Sequence, residues 1–183
     1  MSRIMQAWEQ VLRDAVASDY DDQQHALFQI GLVLQRHNPH IIPDSDVYEE
    51  TLSRELRRLT LNHQRQRDAV DYLVTLVSNK PASADAFIYA MSNAQPLILA
   101  EPLIALITRK GAALSDDAAY QALMALEGIL KYGAEAELEQ VNDSDIYTII
   151  DDWADRDDAL LGDKADNVLD KLDDLAEDED NST

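Results

Sequence analysis

The sequence predicts an all-α fold in which eight to ten helices pair as hairpins and stack into a right-handed α–α superhelix. Three observations carry this. Apolar residues recur at spacings of three and four along nearly the whole chain, the stripe of amphipathic helices. Capping and breaking residues (Asp, Ser, Pro and Gly) fall between those stripes. One Ala-led apolar pattern returns at intervals of 43, 53 and 43 residues. No segment reads as a strand: Val, Ile and Tyr never alternate with polar residues between hairpin turns. Five Gly and five Pro are few for an all-β chain of 183 residues.

The elements follow in order. Ile4, Trp8, Val11, Leu12 and Ala15 predict a first helix. Asp21 and Asp22 suit the positive end of a second. It carries Ala26, Leu27, Ile30, Val33 and Leu34 and ends near Asn38, because Pro39 disfavours a helical residue before it. Pro43, Asp44 and Ser45 supply a turn and a cap for a third helix on Val47, Leu52, Leu56 and Leu59. A fourth spans Gln64 to Ser78 on Ala69, Val70, Leu73, Leu76 and Val77. Lys80 to Ser83 breaks the chain, with Ser83 capping a fifth helix of Ala86, Phe87, Ala90 and Met91. A sixth runs to Lys110, with Pro102 either at its first turn or kinking it, and Gly111 stops it.

Ser115, Asp116 and Asp117 cap a seventh helix on Ala119, Ala122, Leu123, Leu126, Ile129 and Leu130, and Gly133 ends it. Ser144 caps an eighth with Ile146, Tyr147, Ile149, Ile150 and Trp153. A ninth runs from about Asp163 to Ala176 on Val168, Leu169, Leu172 and Leu175. Residues 1–176 are therefore expected to form one helical-repeat domain, and 177–183 a disordered acidic tail.

The repeated pattern is Ala followed by apolar residues one, four and eight positions on. It occurs at Ala26-Leu27-Ile30-Leu34, Ala69-Val70-Leu73-Val77 and Ala122-Leu123-Leu126-Leu130, with a degenerate copy at Ala165 and Leu169. A period near 40–47 residues is that of HEAT and armadillo repeats. Physically, a small Ala lets a neighbouring helix approach, and each hairpin buries its stripe only by stacking on the next. A compact helical bundle would also place Ala and Leu at these spacings. Residues 119–138 (AYQALMALEGILKYGAEAEL) and 142–153 (NDSDIYTIIDDW) resemble the closing repeats of armadillo proteins of the importin-alpha kind. The resemblance implies an armadillo-like fold. Those proteins bind peptides through a ladder of Trp and Asn residues; here the only tryptophans are Trp8 and Trp153, so no such ladder exists and recognition of a nuclear localisation signal is not implied.

Charge bounds the partners. The chain carries −21, and the charge grows toward the C-terminus: −3 over residues 1–80, −7 over 81–150 and −11 over 151–183. Such a surface repels nucleic-acid backbones and anionic membranes and suits a basic protein partner. The excess of Asp (25) over Glu (11), with only five Lys, also matches a surface built for solvation at high salt. There are no cysteines, which excludes disulfides, thiol nucleophiles and Cys-based zinc sites and fits a cytoplasmic setting. The N-terminal residues lack the apolar core of a signal peptide. The most apolar stretch, Pro96 to Ile107, is too short to span a membrane and contains Glu101.

The densest positive cluster is Arg54, Arg57, Arg58, Arg65 and Arg67. The first three are spaced to share one helix face. They read either as a site for an acidic partner, since guanidinium forks fit carboxylates, or as internal balance for Glu50, Glu55, Asp68 and Asp71. His37 and His40 flank Asn38-Pro39 without a third ligand at metal-site spacing. The Asp-rich run 151–163 fails the EF-hand pattern, since its sixth position from Asp151 is Arg156 and its twelfth is Gly162. No Gly-rich phosphate loop or Gly-x-Ser-x-Gly elbow is present. The expectation is a binding scaffold with no catalytic residue, metal or cofactor. The alternatives are an acidic nucleic-acid mimic that inhibits a DNA-binding protein, or an enzyme of HEAT-like fold.

Overall fold

The structure, a computed structural model, describes residues 2–42, 44–142 and 144–180, with side chains up to 177. It is all-helical. Among the described residues there are eleven α-helices and two 3-10 turns, and no strand. The helices are α1 (Arg3–Asp14), α2 (Tyr20–Gln35), α3 (Ser45–Thr51), α4 (Arg54–Arg57), α5 (His63–Asn79), α6 (Ala84–Met91), α7 (Pro96–Lys110), α8 (Asp116–Tyr132), α9 (Glu135–Asn142), α10 (Tyr147–Ala154) and α11 (Ala159–Asp180).

Most starts are set by side-chain caps. Ser2, Asp19, Asp44, Ser53, Asn62 and Ser115 each accept a backbone N–H from the first turn that follows. Ser53 explains the first departure from expectation. The helix anticipated through Leu59 breaks at Leu52, whose backbone is extended, and Ser53 starts a separate turn. Arg54, Arg57 and Arg58 therefore do not share the face of a long helix; α4 is one turn, and Arg58 is its C-cap. Pro43, anticipated in the turn before α3, lies outside the described residues.

Two expected caps do other work. The Ser83 hydroxyl donates to Gln23 Oε1 at 3.2 Å, and the Ser144 hydroxyl to the Val141 carbonyl. Helix α9 was not anticipated. Its start is stabilised by Glu137, whose carboxylate accepts the Ala134 N–H at 2.8 Å, and Val141 buries its inner side. The last helix begins at Ala159, because Asp158 Oδ1 accepts the Leu161 N–H at 2.8 Å, and it continues to Asp180, past the expected end at Ala176. Residues 181–183 of the anticipated tail lie outside the described residues.

Gly111 and Gly133 end their helices, but neither has positive φ. At Gly111 the reason is space. A Cβ there would come 2.5 Å from Ile149 Cγ2 and 3.2 Å from Trp153 Cζ2 of α10. The bare backbone lets the Trp153 indole N–H reach the Gly111 carbonyl at 3.1 Å.

Pro102 sits inside α7, with Pro96 at the helix start. Without an N–H, it leaves the Ile98 carbonyl unserved by the helix. Arg67 of α5 fills the gap: its Nη1 donates to Ile98 O at 3.0 Å, and its Nη2 pairs with Glu101 at 2.5 Å.

Cross-helix contacts arrange these elements in two rows. In the first, α1 lies beside α5 and runs parallel to it: Arg65 meets Met5, the Tyr72 hydroxyl donates to Leu12 O, and Lys80 Nζ donates to Val16 O. Helix α5 packs on α7, with Gln66 opposite Gln95 near their starts. In the second row α2 packs on α6, α6 on α8 and α8 on α11. Helices α2 and α6 are also parallel. Gln23 meets Ser83 near their starts, and Asn38 Nδ2 reaches Asn93 O and Ala94 O past their ends. Consecutive helices α1–α2, α5–α6, α7–α8 and α10–α11 bridge the rows, and a continuous buried core runs from Trp8 to Leu172.

The repeated Ala positions, Ala26, Ala69, Ala122 and Ala165, are all buried. They do not occupy equivalent places. Ala69 lies on α5, in the first row, while the other three lie on α2, α8 and α11 of the second. The position between α2 and α8 is taken by α6, with Ala84, Phe87, Ile88 and Met91 inward. This explains the uneven 53-residue gap.

Candidate functional site

The second row leaves a groove on its outer side where α2 and α6 run together. Gly31 sets their separation: a Cβ there would come 3.1 Å from Asn93 Nδ2 and 3.7 Å from the Ala90 backbone. The close approach aligns two ladders of residues four apart, Gln24 and Phe28 on α2, and Asp85 and Tyr89 on α6 with Asn93 just past its end. Phe28 is 38% and Tyr89 48% exposed. The two rings separate adjoining cavities. One, of about 210 Å³, is bordered by Gln35, by Ile42 and Asp44 ahead of α3, and by Val47 within α3. The other, of about 370 Å³, is lined by Gln24, Asp85 and, from α8, Gln121. No Lys or Arg lines either cavity. Ile42, which lines the smaller cavity, is 94% exposed.

Polar groups along the smaller cavity are held by internal bonds. Asn93 Nδ2 donates to Tyr89 O at 2.9 Å and Ala90 O at 3.4 Å, fixing the amide at the end of α6. Tyr48 donates its hydroxyl proton to Leu32 O at 2.8 Å and lies 3.1 Å from Gln35 Oε1. Burial pushes that phenol up to about 12, so it stays a neutral donor at any ordinary pH. Asp44 Oδ1 accepts the Asp46 and Val47 N–H groups.

The arginine cluster lies elsewhere. None of the five lines the groove. Arg54, Arg57, Arg58 and Arg65 are exposed, and among the described residues none of these four forms an ion pair. Arg67 has the structural role given above. Among the described residues none of the anticipated partners Glu50, Glu55, Asp68 and Asp71 forms an ion pair; Arg67 pairs with Glu101, and its charge also favours the ionised form of Asp71. Arg36 adds to the cluster, its Nη1 donating to Leu56 O at 3.1 Å and Arg57 O at 2.7 Å at the end of α4.

The two histidines flanking Asn38-Pro39 are used separately. His37 Nε2 accepts the Leu61 N–H at 3.2 Å, and His40 stacks on Tyr132 at 4.8 Å between ring centroids. Burial and the neighbouring Arg36 hold the His37 imidazole below its ordinary value. At the far end of the second row, Glu127 of α8 bridges Lys164 and Lys171 of α11, and these hydrogen bonds hold its carboxyl below the usual range.

No group of three or more His, Asp or Glu among the described residues could hold a metal, and no helix among them is long and apolar enough to cross a membrane. No family model, curated protein or solved structure matches the chain.

Sequence reasoning missed Phe28 and Tyr89. The signal was present: each is an aromatic residue beside, but outside, its helix's buried stripe of Ala26, Leu27 and Ile30, or of Phe87, Ala90 and Met91. What could not be read was that α2 and α6, with residues 36–83 between them, stand side by side.

Proposed function

We propose that this chain is a protein-binding scaffold of the α–α superhelical, HEAT/armadillo-like kind, and that the groove on α2 and α6 receives a segment of a basic protein partner. One observation carries the reading: two adjoining cavities share the exposed rings of Phe28 and Tyr89, contain Asp44 and Asp85, and lack any basic residue, on a chain of net charge −21. Aromatic anchors beside pockets are what binding surfaces use for affinity, and complementary charge speeds and orients encounter. The two rows of parallel helices support the superhelical reading, because hairpins that stack only on their neighbours leave a long open face.

The test is an array of 12-residue peptides probed with the full chain and with Phe28→Ala/Tyr89→Ala. Both side chains are substantially exposed, so the variant should fold. The scaffold reading expects a peptide set rich in Lys, Arg and apolar residues that the variant loses. Equal binding by both proteins, or no binding by either, would count against it.

A second reading has one observation in its favour. Asp163, Asp166, Asp170, Asp173 and Glu177 lie three and four apart on α11 and are all exposed, an acidic stripe of the sort a nucleic-acid mimic would present. Competition by this chain against duplex DNA for a non-specific DNA-binding protein, abolished by Asp166→Asn/Asp170→Asn/Asp173→Asn, would favour that reading instead.

A further inference from the structure

We infer that the smaller cavity of the groove is a specificity pocket for a single lysine or arginine side chain of the bound segment; this rests on the groove reading and deepens it. Size comes first. At about 210 Å³ the cavity falls below the range of roughly 300–1,000 Å³ usual for small-molecule sites, and suits one long side chain. Its walls are apolar and aromatic, with Phe28, Tyr89 and Ile42 placed to cover the methylene stem that Lys and Arg carry. Ring faces attract a cation directly.

The open polar atoms have the matching sense. With Asp44 Oδ1 engaged by two backbone N–H groups, Oδ2 accepts nothing from the described residues. With Asn93 Nδ2 engaged by two carbonyls, Oδ1 remains an acceptor. An ammonium or guanidinium is all donor and needs such acceptors. Gln35 Oε1 lies 3.1 Å from the Tyr48 oxygen, whose one proton goes to Leu32 O, so it stands as a further acceptor. No cation of this chain competes: the nearby Arg36 guanidinium is turned to the carbonyls of Leu56 and Arg57. The larger cavity has a carboxylate in Asp85 but also the amides of Gln24 and Gln121, and is wider.

The probes are the amides of Nα-acetyl-arginine and Nα-acetyl-lysine, with those of Nα-acetyl-citrulline and Nα-acetyl-norleucine as neutral counterparts. Each is titrated into the ¹⁵N-labelled full chain while the amide signals of Gly31 and Asn93 are followed. The expected result is a saturable shift with the two cationic probes and affinity lower by about tenfold or more for the neutral ones. Asp44→Asn should weaken the cationic probes by a similar factor while the helix stays capped, since Asn caps as well as Asp. Tyr89→Leu should weaken them too, and Asp85→Asn, in the neighbouring cavity, should not. Equal binding of norleucine and arginine amides, an unmoved affinity in Asp44→Asn, or no saturable shift with either cation overturns the pocket. The array separates this from failure of the groove. Peptides that need Phe28 and Tyr89 but tolerate loss of every Lys and Arg sink the pocket alone, whereas binding indifferent to Phe28 and Tyr89 sinks both.

Discussion

Replacing Arg67 with alanine should destabilise the fold far more than an ion pair with a mostly exposed partner would suggest. Glu101 is 73% exposed, so solvent screening limits its pairing with Arg67 to about 0.5 kcal/mol or less. The larger part comes from Ile98. Its carbonyl is denied a helix partner by Pro102, its residue is only 4% exposed, and Arg67 Nη1 is what satisfies it. Leaving such a group unpaired costs about 1–3 kcal/mol. Arg67→Ala is therefore expected to cost about 2 kcal/mol, and Glu101→Gln a quarter of that or less. Arg67→Met, which keeps the stem, should behave like the alanine variant less a small packing loss. The assay is urea unfolding followed by circular dichroism. Repeating Arg67→Ala in a Pro102→Ala background closes the cycle. Removing the proline restores an N–H that can serve Ile98, so the cost of losing Arg67 should fall by about 1 kcal/mol or more. Equal costs for Arg67→Ala and Glu101→Gln, or an Arg67→Ala cost unchanged by the proline, would show that the Ile98 carbonyl is not the group Arg67 stabilises.

Four other single-residue substitutions have defined outcomes. Gly111→Ala must push Ile149 or Trp153 aside and should cost about 1–3 kcal/mol; Gly128→Ala, whose added methyl meets nothing within 4 Å on α8, should stabilise by about 0.5–1 kcal/mol. A melting temperature that rises in Gly111→Ala, or falls in Gly128→Ala, would contradict the reasoning at that position. His37 accepts a hydrogen bond only when Nε2 is unprotonated, and its folded-state value lies below 6.5. The unfolded chain therefore binds the proton first on acidification, so the His37 contribution is complete above pH 6.5 and declines below it. Urea midpoints between about pH 7.5 and 5.5 should fall for the native chain and flatten in His37→Phe; a native profile as flat as the variant's would exclude the linkage. Glu127, held below the usual carboxylate range by its two lysines, works lower on the scale: its contribution is present above about 4.5, the ordinary value, and is lost as pH falls through the depressed one. Glu127→Gln should remove that acid-range step from the same midpoint curve, and a step that survives the substitution would assign it to other carboxylates.

The helices were legible because local rules set most of them. Asp44 and Ser115 cap where the sequence says they should, and the stripes of α1, α2, α5 and α8 are buried as their spacing implies. The misses share one cause. Ser53 and Ser83 are chemically alike; one caps a turn and the other donates to Gln23, sixty residues away in the chain. Which role a hydroxyl takes depends on the helix packed against it, and pattern reading along one chain does not see that helix. Gly111 teaches the same lesson, since its close neighbour Trp153 is 42 residues on. The arginine cluster was visible as charge, but Arg67 was separated from the other four only by its partner carbonyl, which Pro102 exposes on another helix. Phe28 and Tyr89 were visible as aromatics yet meaningless until α2 and α6 were placed together.

The pairing of α2 with α6 also sets a clock. Residues 36–83, which include α3, α4 and α5, come between the two walls, and the wall residues Tyr89 and Asn93 are made last. A chain emerging from the ribosome can fold α1 and α2 early, but Phe28 then stands beside empty solvent. The smaller cavity comes into existence only after Asn93 has cleared the exit tunnel and α6 has docked, and the larger one only once Gln121 of α8 has followed. A partner that recognises both walls cannot capture the nascent chain before that moment, and a product truncated ahead of α6 would be silent to it.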